Sequence, residues 1–123
     1  MPEPAMRKRH KYGAKPCVIE GIRFASQKEG ARYQELRLLE KAGEIHELDV
    51  QPRYPLEALS LTGNRSRPLG EYWGDFVYCE CDRGERCVQS RLVVEDVKGY
   101  DTPLSKWKRR HVEAQYGIRV VIV

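Results

Sequence analysis

Long apolar runs are missing from this chain. None approaches the ~20 residues that a membrane span needs, and the basic N-terminus is not followed by the apolar segment of a secretory signal. An intracellular, cytoplasmic protein with no membrane partner is therefore expected. Internal repeats and low-complexity tracts are also absent, which excludes a repeat architecture. Histidine is scarce: His10, His46 and His111 lie in unrelated segments, and no serine or cysteine has an evident histidine partner. Covalent nucleophilic catalysis has no candidate residues here. Cysteines number four, three of them crowded into Cys79-Glu-Cys81-Asp-Arg-Gly-Glu-Arg-Cys87. This spacing is not a standard zinc pattern, and a zinc site would need Cys17, a histidine or a carboxylate as fourth ligand. Free thiols are the leading expectation; a disulfide joining Cys79 or Cys81 to Cys87 across the turn and a small zinc-stapled module are the alternatives.

At 123 residues the chain suits a single domain, able to bury a core without staples but not a large one. Charged residues are 33% of it, with a net charge of +4 that is unevenly placed. Arg7, Lys8, Arg9, Lys11 and Lys15 face a single acid, Glu3, in the first fifteen residues. Lys106, Lys108, Arg109 and Arg110 surround Trp107. Two such clusters suit a polyanion, with nucleic acid the expected one. Trp107 is expected in the core.

Residues 1–16, with three prolines, many bases and no periodicity, read as a flexible basic arm. Residues 17–123 form the folded domain. Cys17 to Phe24 reads as a short hairpin turning near Glu20-Gly21. A helix follows: Ser26 is its N-cap, Glu29 completes a capping box, and Gly43 supplies the stop after Ala42. Glu29, Tyr33, Leu36 and Glu40 share one stripe, with Arg32 beside it. Strands are expected over Glu44–Gln51, Tyr54–Leu61, Glu71–Cys81 and Val88–Lys98, with a polar loop over 62–69 and a turn over 82–86. Leu104–Tyr116 reads as a helix that Gly117 ends. Ile118–Val123 reads as a buried terminal strand, parallel to its partner because a helix joins them. The fold class is α/β: a mixed central β-sheet flanked by helices.

Two segments carry the chemistry. Arg91-Leu-Val-Val-Glu-Asp-Val-Lys-Gly99 and Gly74-Asp-Phe-Val77 are short apolar runs with acids at their ends. Side chains two apart on a strand share a face, so Asp96 and Lys98 project together while Glu95 and Val97 point the other way. Pairing of the two strands brings Asp75 near Asp96. Carboxylates converging at a sheet edge suit a hard divalent cation such as Mg²⁺, for which Mn²⁺ substitutes, held with phosphate oxygens and water. Asp75 and Asp96 are its candidate ligands, with the Val97 carbonyl within reach and Glu29 as a third acid. Lys98 would orient the attacking water or stabilise charge on the phosphate. For Glu29 two roles stay open, helix cap and catalytic acid. For Asp96 and Lys98 the plain alternative is a surface ion pair.

An acid, an apolar strand and then (Asp/Glu)-x-Lys resembles the PD-(D/E)xK nuclease superfamily, here through Asp75, Asp96 and Lys98, with Glu29 in the position of the helix acid. Tyr12-Gly-Ala-Lys15, Gly21-Ile-Arg-Phe-Ala-Ser-Gln-Lys-Glu29, Leu39-Glu-Lys-Ala-Gly-Glu-Ile45, Gln51-Pro52, Val94-Glu-Asp-Val-Lys-Gly99 and Tyr116-Gly-Ile118 are similar to a family of short phage proteins assigned to that superfamily and akin to archaeal-type Holliday junction resolvases. Gly74 stands where the superfamily has a nominal proline, and Glu95 beside Asp96 leaves room for a register exchange. Asp96 is preferred because it alone shares a face with Lys98. The resemblance implies an αβββαβ restriction-endonuclease-like core, a Mg²⁺-dependent endonuclease acting on branched DNA such as a four-way junction, and a homodimer that cuts two strands symmetrically. Arg7, Lys8, Arg9, Lys11, Lys106, Lys108, Arg109 and Arg110 would contact phosphates. Rival expectations are another nuclease of the superfamily (transposon-end, restriction or genome-processing) and a non-catalytic nucleic-acid-binding protein.

Overall fold

The structure is a computed structural model that describes residues 15–63, 65–80, 91–97 and 100–123. Local sequence sets its first elements. Strands β1 (Cys17–Ile19) and β2 (Ile22–Phe24) form the expected hairpin, with Cys17 opposite Phe24. Glu20 and Gly21 make its turn at positive φ, 54° and 80°, the sense of twist that two-residue hairpins need. Glu20 is held there by its carboxylate, which accepts from the Tyr33 hydroxyl at 2.9 Å. Helix α1 (Gln27–Lys41) starts at Ser26, whose Oγ accepts the Glu29 N–H at 3.1 Å. Past its C-cap Ala42, Gly43 turns out at φ 82°. Gly30, Tyr33 and Leu36 are its buried face. A Cβ on Gly30 would lie 2.6 Å from the Cys17 Sγ, so the hairpin packs directly on this turn of the helix.

The remaining strands are β3 (His46–Val50), β4 (Arg53–Leu59), β5 (Ser66–Trp73), β6 (Phe76–Cys79) and β7 (Leu92–Asp96); helix α2 (Pro103–Tyr116) and strand β8 (Arg119–Ile122) complete the domain. The central sheet has the order β3-β6-β7-β8, and β4 pairs with β5 in a separate ribbon. Strands β6 and β7 are antiparallel, as expected, with Phe76 opposite Glu95. Strands β7 and β8 are parallel, with Asp96 opposite Ile122 and α2 as the crossover. With the two hairpins set aside, the order α1-β3-β6-β7-α2-β8 is the expected αβββαβ, and the domain is mixed α/β.

Four expectations need correction. The strand expected over 71–81 is broken at Gly74-Asp75. There the Gly74 N–H still donates to Pro52 on the β4 side (3.0 Å), while the Asp75 N–H already donates to Glu95 on β7 (2.9 Å). A Cβ on Gly74 would sit 2.6 Å from Val94 Cγ1, so only glycine lets the chain cross so close to β7. The opposite strand bends at the same level, at Gln51 (φ 52°) and Pro52. The polar loop is also shorter than expected, because Ser66 already pairs with Leu59. Among the described residues strand β8 lies at the edge of the sheet and is exposed at Arg119 and Ile122, not buried as expected. Cys79 is disulfide-bonded, against the free thiol expected, while Cys17 is a free thiol. The expected turn over 82–86, with Cys81 and Cys87, and the whole basic arm short of Lys15 lie outside the described residues.

The sheet separates two apolar clusters. Phe24, Tyr33, Leu36, Ile45, Phe76, Tyr78 and Val93 fill the side under α1. Leu56, Tyr72, Val94, Val112 and Ile118 fill the side shared by α2 and the β4–β5 ribbon. Along β7 the pleat sends Val93 and Val97 to the first side and Val94 to the second. Glu95 therefore faces α1, and Asp96 faces the ribbon. No helix among the described residues is long and apolar enough to cross a membrane.

Candidate metal and phosphate site

Asp75 owes its place to the break between β5 and β6. Its Oδ2 accepts the Val97 N–H at 2.6 Å, which seats the carboxylate over the end of β7. Asp96 is the last residue of β7 and is 4% exposed. Its Oδ2 accepts the Tyr72 hydroxyl at 2.5 Å. Glu29, in the first turn of α1, has its Oε2 3.4 Å from the Ser26 Oγ. The Glu29 backbone N–H is capped by Ser26, and its carboxylate is close enough to the strand acids Asp75 and Asp96 to feel their charges.

Burial and mutual repulsion show in the protonation of these groups. The Asp75 carboxyl is pushed up to about 7, first by burial and then by the charge of Glu29, with the Val97 N–H opposing and Asp96 adding a smaller push. Burial likewise raises Glu29, against the hydrogen bonds from Ala25 and Ser26. Burial and the bond to Asp96 raise the Tyr72 hydroxyl. Burial and the neighbouring charge of Glu29 thus favour the protonated form of the Asp75 carboxyl. Among the described residues, no set of three or more His, Cys, Asp or Glu side chains already forms a closed metal site. One oxygen of each aspartate is instead committed to an internal donor, Val97 or Tyr72. The donor chemistry fits a hard cation nonetheless: all the ligating atoms are oxygens, and the acids crowd one another in a way that a divalent charge relieves. Lys98, expected here from the D-x-K spacing, lies outside the described residues.

Glu95, set aside by the sequence pattern as facing away, is 1% exposed. Arg32 grips it with a fork: Nε to Oε1 at 2.7 Å and Nη2 to Oε2 at 2.6 Å. The Tyr78 hydroxyl donates to the same Oε2 at 2.5 Å. Arg32 lies one helical turn after Glu29, and Glu95 immediately precedes Asp96, so this pair ties α1 to β7 at the level of the acids. Sequence reasoning missed Arg32, Tyr72, Tyr78 and Glu95 as parts of the site. The one signal was a second acid inside an apolar strand covered on both faces.

The α2 bases divide into two kinds. Lys106 and Arg110 are exposed and Lys108 half-buried. Arg110 stacks 5.2 Å from the Trp107 ring centroid. Trp107 is 66% exposed, not in the core as expected, because Val112 is the position of α2 that faces inward. Arg109 turns inward and makes two 2.7 Å bonds to Asp101, so its guanidinium is held by the protein itself. Arg7, Lys8, Arg9 and Lys11 lie outside the described residues.

No curated protein and no solved structure matches the chain. A family model described as a protein of unknown function (DUF1064) matches residues 9–121, and the chain belongs to that family.

Proposed function

We propose that this protein is a metal-dependent, structure-specific DNA endonuclease of the PD-(D/E)xK kind, acting on branched DNA and most concretely on four-way junctions. The observation that carries the reading is the meeting of Glu29, Asp75 and Asp96, from a helix, a strand break and a strand end, at one edge of an αβββαβ core. Acids so placed destabilise one another unless they serve a charge, and solubility does not require them.

In this reading Asp75 and Asp96 hold Mg²⁺, or Mn²⁺ in its place, with Glu29 and the Val97 carbonyl beside them. Such an ion, when bound, would supply Lewis-acid polarisation of the scissile phosphate and acidification of the attacking water. The chain's own groups prepare this site. Tyr72 fixes the Asp96 carboxylate and the Val97 N–H fixes that of Asp75, so both carboxylates are oriented before the ligand arrives. Glu29, anchored at the helix cap, accepts from the Ser26 hydroxyl and lies near the strand acids. Lys98 is assigned the orientation of the attacking water and the stabilisation of phosphate charge. Lys106, Lys108 and Arg110 contact flanking phosphates. A two-fold homodimer would present two sites to a junction, and the protein would act in the cytoplasm, that of the host if it is phage-encoded.

The test is cleavage of a labelled four-way junction, a flap and a linear duplex with and without Mg²⁺. Wild type should cut the junction only with metal, and Asp96→Asn should bind it without cutting. Junctions left intact by wild-type protein that binds them normally would overturn the reading; preferential cutting of the flap or duplex would favour another nuclease of the superfamily. The rival reading is a non-catalytic nucleic-acid-binding protein, supported by the exposed bases Lys106 and Arg110 on α2. On that alternative, Asp96→Asn changes no activity.

A further inference from the structure

Trp73 ends β5 two residues before Asp75, which keeps their Cα atoms within about 7 Å. Its indole is 56% exposed and joins neither apolar cluster. The ring is nevertheless held. Its Nε1 donates to Glu71 Oε1 at 3.1 Å, and the other Glu71 oxygen takes the guanidinium of Arg53, the residue opposite Trp73 across the ribbon. Trp73 walls a groove of about 630 Å³ that also includes Arg53, Leu56, Pro68 and, from α2, Lys108. Helix α2 fastens this ribbon in place: the Tyr116 hydroxyl donates to the Pro55 carbonyl at 2.6 Å, and the Gln115 amide to the same carbonyl at 3.2 Å.

A flat, oriented aromatic surface beside a cation, one step from a phosphate-binding edge, has the chemistry of a nucleotide site. We propose that Trp73 is a stacking platform for a nucleobase left with one uncovered face next to the cleaved phosphate, with Lys108 on the neighbouring phosphate. Stacking of this kind accepts any base. In continuous duplex both faces of each base are covered by neighbours, so the indole finds no partner. At a branch point or a frayed end one face is free. Trp73 therefore selects interrupted over continuous DNA. The position of the base relative to the cleaved phosphate rests on the nuclease reading; the stacking itself does not.

The chain has two tryptophans, so Trp107→Phe leaves Trp73 as the only indole reporter. Its fluorescence is titrated in EDTA with oligothymidylate, a four-way junction and a blunt duplex. Stronger quenching by the single strand and the junction than by the duplex is expected. Trp73→Ala should weaken single-strand binding at least about five-fold, and Trp73→Phe should restore most of it. Equal quenching by duplex, or unchanged affinity in Trp73→Ala, overturns the proposal. So does a Trp73→Ala protein that loses self-association in sedimentation while keeping its nucleic-acid affinity, since the indole would then belong to a protein interface. If no DNA is cut by any variant but the selective quenching persists, the stacking proposal stands and the nuclease reading falls.

Discussion

Arg32 on α1 and Glu95 on β7 form a buried fork of two bonds, 2.7 and 2.6 Å long. The pair sits one helical turn from Glu29 and one residue from Asp96, so it sets the distance between the helix acid and the strand acid. Removing one partner strands a charge in a site that is 1% exposed at Glu95. Arg32→Ala should therefore destabilise the fold by about 3–5 kcal/mol in urea denaturation. The double change Arg32→Met with Glu95→Leu should recover most of that stability, because apolar pairs replace buried ion pairs well. It should not recover cleavage, since nothing then holds Glu29 in register with Asp96. Full activity in the refolded double variant would show that the pair is structural only.

Stability of the metal-free protein should depend on pH through Asp75. Its carboxyl is pushed up to about 7 from an ordinary 3.8. The folded state therefore holds this proton more tightly than the unfolded state does, and the associated stability is full below about pH 4 and lost as pH rises to about 7. Each tenfold difference in proton affinity between the two states corresponds to about 1.4 kcal/mol. The melting temperature in EDTA should fall across that window for wild type and fall less for Asp75→Asn. Parallel curves for the two proteins would refute the assignment.

Mn²⁺ added at neutral pH should reverse that loss. A ligand bound only by the folded state stabilises it by about 2.7 kcal/mol at a hundred times its dissociation constant. Thermal melts with and without Mn²⁺ should show a rise for wild type and none for Asp96→Asn. Tyr72→Phe, which removes the 2.5 Å donor to Asp96, should bind Mn²⁺ more weakly and lose about 1–3 kcal/mol of stability.

The bases of α2 should separate in salt titrations of DNA binding. Lys106→Ala and Arg110→Ala should each reduce the slope of log affinity against log salt by about one. Arg109→Ala should leave that slope nearly unchanged and lower the melting temperature instead, because its guanidinium is bound to Asp101.

Gly74→Ala should destabilise the domain by about 1–3 kcal/mol, since the added methyl would meet Val94 at 2.6 Å. Gly21→Ala meets no neighbouring atom, and its smaller loss, read in the same urea titration, arises from the positive φ alone.

What the amino-acid sequence by itself determined here is local. The Ser26 cap, the Glu20-Gly21 turn, the helix stops at Gly43 and Gly117, and the two-residue period of β7 each depend on neighbours a few positions away, and all appear where the pattern places them. Pairing of β6 with β7 was also readable, because the turn signal Asp82-Arg83-Gly84 lies between two apolar runs. Tertiary structure alone decided the break at Gly74-Asp75, the exposure of Trp107, the inward turn of Arg109 and the grip of Arg32 on Glu95. That grip joins residues 63 positions apart. Propensity and periodicity carry no information about which charge a buried carboxylate will meet, because that choice is made by how helix and sheet pack, after both have formed.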